Sequence, residues 1–572
     1  MRRLPKEHQL TVLAPYLQFS CPHDVKLRDI RKALPQTFDV PGTVLVVLAL
    51  LLYAPGLWWG LPYATSAPRA AVWGTDELAP LQSVTEVYGV FLARQPHFNP
   101  QYPLFHNLMQ LLLVGPYIVF LWVTGGLGQP HPLYPFGFTD PVTALRMTTL
   151  LARAVSYLMA AGVVLIAYRT GTILKDRLTG CIAGLMALCI YPMFYYSRTS
   201  NVDMGALFWT ALGLLVFARY LRDGLTTRRA VWLGIFAALA TGSKDASWPA
   251  FLMMGLVIAC TELSWPLDRV PREKIRQLAL GFAVAAGAYA VASGLIFRPS
   301  RYWSHLEWVS DQGLQVAGRH RATLDGYWNL ALDFGRTMTD AMGVPMALCA
   351  LAGVALCCWR ERRLLVWLLP AAGIFALVLV PARFILLRFV LVIAYVMTFF
   401  AAYALREAWQ SRSLRKIAPV LLVVVSGWSM LRGGDLTWQM LRDSRYEAGD
   451  WLRQYARDGD RVLHFGCPCG LPALQPGVRN IAVGKNARYA FKGTPEDPEF
   501  VVLVPYLLFP SEPEHEPNLP EPDYRALRDG SLGYQRVLRV HTARLFERRP
   551  LPFVNPPVQV FVRKDLIARL SR

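Results

Sequence analysis

Charge is scarce in this chain, and acidic charge is scarcest. Asp and Glu number 39 among 572 residues against 59 Lys and Arg, and charged residues of both signs make up only 17%. So little charge cannot clothe a water-soluble globule of this length. With 54% hydrophobic residues and apolar runs of roughly 15 to 22 residues recurring over the first three quarters of the sequence, the chain reads as a polytopic helical membrane protein. Cysteine is sparse too. There are nine, and Cys181, Cys189, Cys260, Cys349, Cys357 and Cys358 fall inside apolar runs, where a thiol acts as a small packing residue. Only Cys467-Pro468-Cys469 invites chemistry, and its one-residue spacing is poor for zinc without further ligands and strained for a disulfide, so it is read as neither a metal nor a redox site. A cleavable leader is not evident: the first 40 residues are polar and basic, and the run from Gly42 to Leu61 has no small-residue cleavage site after it, so it is expected to stay as an anchor.

The net charge of +20 is a topology signal rather than a nucleic-acid footprint. Basic residues crowd into every second connection: Arg169/Lys175/Arg177, Arg222/Arg228/Arg229, Arg269/Arg272/Lys274/Arg276, Arg360/Arg362/Arg363 and Arg406/Arg412/Arg415/Lys416. Short basic loops stay in the cytoplasm. With Arg2, Arg3, Arg28, Arg31 and Lys32 also inside, the sequence divides into a cytoplasmic segment 1–41, a transmembrane region 42–431 and an extracytoplasmic region 432–572. The spans read as 42–61, 147–168, 180–196, 204–221, 230–243, 248–262, 277–297, 338–358, 364–380, 389–405 and 417–431, about eleven in all. Residues 103–127 are apolar enough to cross, but one crossing there would invert every later loop. They are therefore expected to be re-entrant, interfacial or a hairpin, broken at Gly115-Pro116, within one large external loop 62–146.

Polar groups that this orientation places outside are the functional candidates. Trp73-Gly74-Thr75-Asp76-Glu77 puts two adjacent carboxylates just past the first apolar run, and Tyr102-Pro103-Leu104-Phe105-His106 follows in the same loop. Arg198 and Asp203 border a second outer turn, Lys244-Asp245 interrupts two half-length apolar runs, and Arg383 and Arg388 flank a third turn. A solvated face, a helix cap, a local ion pair or a snorkelling arginine explains any one of these alone. Boundary charges are costly unless paired, so their gathering on one side points to a site. Carboxylates there can take a proton from a hydroxyl or amine, or hold a divalent cation against a phosphate.

The order of Thr75-Asp76-Glu77, the Tyr102-Pro103…His106 segment, Ser197-Arg198…Asp203, the turn ending Ala240-Thr241-Gly242-Ser243-Lys244, and Arg388-Phe389 resembles the membrane-integral glycosyltransferases of the protein mannosyltransferase and lipid A aminoarabinose transferase type. These are GT-C fold enzymes of family 39. The resemblance extends into the tail, where Asp443-Ser444-Arg445, Trp451-Leu452 and Gly459-Asp460-Arg461-Val462-Leu463 are similar to the start of the family's external domain. It implies a mainly α membrane bundle with a small extracytoplasmic α/β domain in a bacterial inner membrane. It implies transfer of a sugar from a polyprenyl-phosphate carrier to a protein, lipid or glycan acceptor.

Carried over residue by residue, the resemblance makes Asp76 the base, with Glu77 supporting it, and Asp203 the acid of the second loop. Lys244, Arg383 and Arg388 become the donor-phosphate cations, and Arg198 lies closer to the acids. A divalent cation between Asp76 and Asp203 is an option. Gln101 stands where the family has lysine, which leaves Tyr102 or His106 as a weaker phosphate contact. A good leaving group needs only an oriented nucleophile, a base and a cationic cluster, so a single displacement with inversion is expected.

The last 140 or so residues carry more charge and turn residues, with β-rich runs at Arg461–Phe465, Phe500–Val504, Tyr534–Val540 and Val558–Val562 and helical stretches near 444–457 and 523–529. Glu512-Pro513-Glu514-His515-Glu516-Pro517 reads as a surface loop. The rival function is a flippase or transporter of lipid-linked saccharides. That would call for charges along an internal path and paired repeats, and neither is evident.

Overall fold

The computed structural model describes residues 39–92, 101–263, 270–313, 318–466, 468–483, 489–505, 519–546, 551 and 554–570. The basic N-terminal cluster, Arg269, Cys467 and the Glu512–Pro517 segment lie outside these residues.

Three helices open on an aspartate cap, two of them with proline in the first turn. Asp39 accepts from Gly42 N at 3.2 Å to start α1 (Val40–Tyr53), with Pro41 in its first turn. Two helices, α2 (Gln82–Phe91) and α3 (Phe105–Val123), follow in the external region. Asp140 accepts from Thr143 N at 3.1 Å to start the long α4 (Pro141–Leu174), and Asp176 caps α5 (Arg177–Leu188) by accepting from Thr179 N at 2.8 Å. These are ordinary N-cap bonds, each satisfying a backbone N–H that the helix leaves unpaired. The bundle continues through α6 (Val202–Asp223), α7 (Thr227–Ser243), α8 (Trp248–Glu262), α9 (Arg272–Ala292), α10 (Pro299–Trp308), α11 (Leu324–Met342), α12 (Val344–Arg360), the irregular helical segment Arg362–Ala382, α13 (Leu391–Gln410) and α14 (Ala418–Leu441).

By length and composition, six of the described helices can cross a membrane, or seven if α11 and α12, bent by 111°, form one broken span. The sequence count of about eleven also took in shorter helices. The apolar run 42–61 is helical only to Tyr53, and 180–196 breaks after Leu188 before a single further turn Met193–Tyr196. Hydropathy registers an apolar run but not the turn that ends its helix.

The expected break at Gly115-Pro116 is absent, and α3 is continuous through Pro116. Pro116 lies on the exposed side, so the ring removes one backbone bond there and the remaining turns carry the helix on. Packing shows where α3 goes. Near its start Gln110 donates to Ser200 O at 3.0 Å, whereas Ile118 and Leu121 near its end pack with Ala144 and Leu145 in the first turns of α4. α3 and the opening of α4 thus form an antiparallel hairpin, closed by a bridge between Leu127 and Phe138. Leu112, Val119, Phe120, Trp122 and Val123 make an exposed apolar stripe along it.

The bundle has two chemically distinct ends. Lys175, Arg360 and Arg406 pair with Glu361, Glu407 and Asp176 where α4, α12 and α13 finish. The candidate acids lie at the other end of α13, about 25 Å away by helical rise.

After α14 come α15 (Ser444–Tyr455), α16 (Glu521–Asp529) and a mixed sheet of β1 (Arg461–Phe465), β2 (Arg479–Val483), β3 (Phe500–Leu503), β4 (Tyr534–Val540) and β5 (Val558–Arg563). Its strand order is β2-β1-β3-β5-β4. β1 runs parallel to β2 and β3, whereas β5 is antiparallel to β3 and β4. Strand side chains alternate between faces: Val462, Phe500, Val502 and Val560 pack under Ala448 and Leu452 of α15, and Leu463, Val501 and Phe561 pack with Leu527 of α16. The sheet region docks on the external segment after α1. Trp59 Nε1 donates to Asp443 Oδ2 at 3.0 Å, Gly60 N to the Tyr446 hydroxyl at 3.0 Å, and Arg69 Nη1 to Gln475 O at 2.8 Å.

Candidate active site

Each of the four central residues sits at a break in helical structure, which frees its side chain to face a common space. Asp76 lies in the turn 73–77 with φ 55°, a left-handed conformation that Asp tolerates better than most residues. Asp203 is in the first turn of α6, where a helix N-terminus favours negative charge. Lys244 ends α7 in an extended conformation, and Arg388 occupies the 3-10 turn Leu387–Val390 that leads into α13. Arg388 Nη1 donates to Asp76 Oδ2 and Lys244 Nζ donates to Asp203 Oδ1. The pairs are adjacent: Asp203 is a further charge neighbour of Arg388, and Asp76 of Lys244. Phe389 lies between the cations, its ring centre 5.3 Å from Lys244 Nζ and 5.2 Å from Arg388 Cζ, a placement in which the ring face attracts both.

Asp203, Lys244, Arg388 and Phe389 line a half-open cleft with two unlike walls, and Asp76 adjoins it through its pairing with Arg388. Asp203, Lys244, Ser247 and Arg388 form the polar side, and Ile374, Val378, Leu391 and Val392 the apolar side. Tyr102 adjoins Arg388, Asp76 and Asp203. Burial raises its phenol well above the ordinary range, so it remains a neutral hydroxyl.

Glu77 is brought to the same turn but is fully occupied. Its carboxylate, buried completely, accepts from Arg153 Nε at 2.6 Å and Nη2 at 2.8 Å, and from Ser200 N at 3.0 Å and Oγ at 3.2 Å. It therefore fixes the turn that presents Asp76. Thr75 is held as well, donating its N–H to the Tyr195 hydroxyl and accepting from Asn201 Nδ2, both at 3.1 Å.

Three expected site residues are placed elsewhere. Arg198 does not approach the acids. Its guanidinium, fully buried, donates to the carbonyls of Tyr53 at 3.0 Å, Leu52 at 2.7 Å and Phe194 at 2.9 Å, capping the carbonyl end of α1. His106 is fully buried against α6, where a Cβ on Gly205 would come within 2.6 Å of its Nδ1. It stands behind Asp203, outside the cleft lining, and does not reach a phosphate there. Arg383 sits on its own left-handed turn (φ 50°) against Gly318, also outside the lining.

Two ion pairs near the site escaped the sequence reading. Arg153 lies between Arg146 and Arg169 within α4, and a charge inside a long apolar run was the signal that would have flagged it. Arg301 of α10 meets Glu86 of α2 at 2.8 Å and donates to Tyr102 O at 3.1 Å, a pairing no spacing in the sequence announces.

For a divalent cation the donor set is thin. No group of three or more His, Cys, Asp or Glu side chains suited to a metal occurs among the described residues, and Asp76 and Asp203 each already hold a cation. A metal here would take its remaining ligands from the substrate phosphate. Cys469 is disulfide-bonded, contrary to the expectation from the Cys467-Pro468-Cys469 spacing. Its partner lies outside the described residues.

No family model and no curated protein matches the sequence. Among solved structures the chain is similar to ArnT from Cupriavidus metallidurans in the apo state, at 12% identity and a TM-score of 0.45, over 92% of this chain and 98% of that one. It is similar to the Archaeoglobus fulgidus oligosaccharyltransferase in complex with Zn and sulfate, at 14% identity and a TM-score of 0.44, over 80% and 67% of the two chains. A third is the arabinofuranosyltransferase AftD from Mycobacteria, at 14% identity and a TM-score of 0.39, over 91% of this chain and 40% of that one. All three are glycosyltransferases of the GT-C fold.

Proposed function

We propose that the chain is an integral-membrane glycosyltransferase that moves a sugar from a polyprenyl-phosphate carrier to an acceptor at the extracytoplasmic face, with Asp76 as base. The observation that carries this reading is the cleft itself. Two cations, each matched by a carboxylate, face an apolar wall, which is the chemistry a phosphate attached to a long hydrocarbon demands. Ile374, Val378, Leu391 and Val392 would take the first isoprene units, and Lys244 and Arg388 the phosphate.

In the reaction, an acceptor hydroxyl or amine attacks the anomeric carbon and gives its proton to Asp76. The bond from that carbon to the phosphate oxygen breaks, and its electron pair leaves with the carrier phosphate. Arg388 and Lys244 meet the charge that develops there. Arg388 serves twice, because its pairing with Asp76 also orients that carboxylate for the incoming nucleophile. Asp203 likewise holds Lys244 in place beside an apolar wall. Asp76 as the single base, with Asp203 committed to Lys244, fits a single displacement with inversion.

Two observations support an outward-facing site. The basic residues of Arg360, Arg406 and Lys175 gather at the opposite end of the bundle, where short cytoplasmic loops belong. The disulfide at Cys469 suits an oxidising compartment. We accordingly place the N-terminus inside a bacterial inner membrane and the sheet region outside. A flippase would need polar groups along a path through the bundle, whereas here they cluster at one end. Radiolabelled polyprenyl-phosphate sugar given to the purified protein in liposomes separates the two. Label passing to a protein, lipid or glycan acceptor supports the transferase, and label that only changes leaflet replaces it with the flippase.

A further inference from the structure

The turn that presents Asp76 is braced from the sheet region by two residues outside the cleft. Asp443 caps α15 and collects several donors. Its Oδ1 accepts from Arg445 N at 3.1 Å and Nε at 2.9 Å, and its Oδ2 accepts from Arg445 Nη2 at 2.8 Å, Trp59 Nε1 at 3.0 Å and Asn555 N at 2.8 Å. Both side chains of the pair are completely buried. Arg445 then donates Nη1 to Cys469 O at 2.8 Å and lays its guanidinium 4.0 Å from the ring centre of Trp73. Tyr446 packs at a tilt against the same indole with ring centres 4.8 Å apart, and Trp73 N donates to Gly60 O at 3.1 Å. Gly60 has no alternative there, since a Cβ on it would lie 2.4 Å from Trp73 Cβ. Trp73 is thus gripped between the external segment and the sheet region, three residues before Asp76.

We propose that Asp443 and Arg445 are positioning residues for Asp76, a claim that rests on the reading of Asp76 as the base. A buried ion pair of this kind is weak evidence for stability as such, because desolvation offsets most of its attraction. What it does supply is direction. Three bonds fix the guanidinium, the guanidinium fixes an indole, and the indole sets where a turn of left-handed backbone begins. A carboxylate displaced by about 1 Å from its nucleophile loses roughly a hundredfold in rate. The sheet region therefore sets the geometry of the reacting end of the bundle.

The test uses full-length protein in detergent with Arg445→Met and Arg445→Lys. Amide hydrogen exchange at residues 73–77 is measured together with kcat and KM for the donor. Arg445→Met is expected to speed exchange at Thr75 and Glu77 about tenfold and to lower kcat by about ten- to a hundredfold, with donor KM within about threefold of native. Arg445→Lys, which keeps a cation over Trp73, should recover most of both losses. A folded Arg445→Met protein with native exchange at 73–77, or a loss shared equally by kcat and KM that lysine does not recover, overturns the proposal. If Arg445→Met does not fold, Trp59→Phe decides by the same exchange criterion, since it removes the donor to Asp443 and keeps a ring. Native protein that transfers no label while exchange still rises in Arg445→Met sinks the transferase reading and leaves the positioning role standing.

Discussion

Arg388 and Asp76, 312 residues apart in the sequence, form an ion pair at the edge of the cleft. The pair joins the turn after α1 to the turn before α13, and neither residue has another route to so strong a partner within its own segment. On the proposed mechanism, a base held by the cation that also serves the leaving group would couple the two halves of a displacement, so that deprotonation of the acceptor and departure of the phosphate would answer to one guanidinium.

Removing either cation should weaken the donor interaction without unfolding the bundle. A charge-assisted contact is worth about 1.5 to 3 kcal/mol, so Arg388→Ala and Lys244→Ala are each expected to cost roughly ten- to a hundredfold in kcat/KM for the donor. Arg388→Lys should recover only part, because an ammonium does not reproduce the guanidinium fork. Steady-state kinetics over a donor titration measures this, and native values in both alanine variants would move the phosphate elsewhere.

Glu77 should behave unlike its neighbour. Breaking a fully buried pair by neutralising one partner costs about 3 to 5 kcal/mol, so Glu77→Gln is expected to lower thermal stability sharply. The Glu77→Gln/Arg153→Met double variant should regain a large part of it. Melting followed by tryptophan fluorescence tests the pattern, and a stable Glu77→Gln protein would show that the carboxylate is not committed to Arg153.

Arg198 separates structure from donor binding. With its guanidinium spent on the carbonyls of Leu52, Tyr53 and Phe194, Arg198→Ala should destabilise by about 1.5 to 3 kcal/mol and leave donor KM unchanged in the protein that remains folded. A raised KM at native stability would restore it to the phosphate site.

The topology has its own test. A reporter that works only in the cytoplasm, fused after Arg572, should be silent, and the same reporter placed in the connection after α4 should be bright. A bright signal at Arg572 would reverse the orientation and put the cleft on the wrong side for an outward-facing transfer.

The general plan was legible because composition and period 2 alternation are local properties. Four of the five strands and both helices of the tail were readable from Val- and Phe-rich runs, whereas β2 (Arg479–Val483) was not, since Arg479 and Asn480 dilute its apolar signal. Asp76, Asp203, Lys244 and Arg388 were each picked out by sequence as costly boundary charges, and the structure brings them together. Arg198 and His106 met the same criterion yet are buried elsewhere. A sequence registers that a charge needs a partner but not whether that partner is a substrate or the carbonyl end of a helix. The tie between α15 and Trp73 was illegible for a related reason, as it joins two segments that lie far apart in the sequence.

The sharpest measurement compares native protein with Asp76→Asn for transfer rate and thermal stability in the same preparation. Asparagine tolerates the left-handed backbone at this position but cannot accept the proton. Loss of a general base costs about a hundred- to ten-thousandfold in rate, while a partly exposed ion pair contributes about 1 kcal/mol or less to stability. The account predicts an Asp76→Asn protein that melts within a few degrees of native and transfers almost no sugar. An Asp76→Asn protein with ordinary turnover would contradict it.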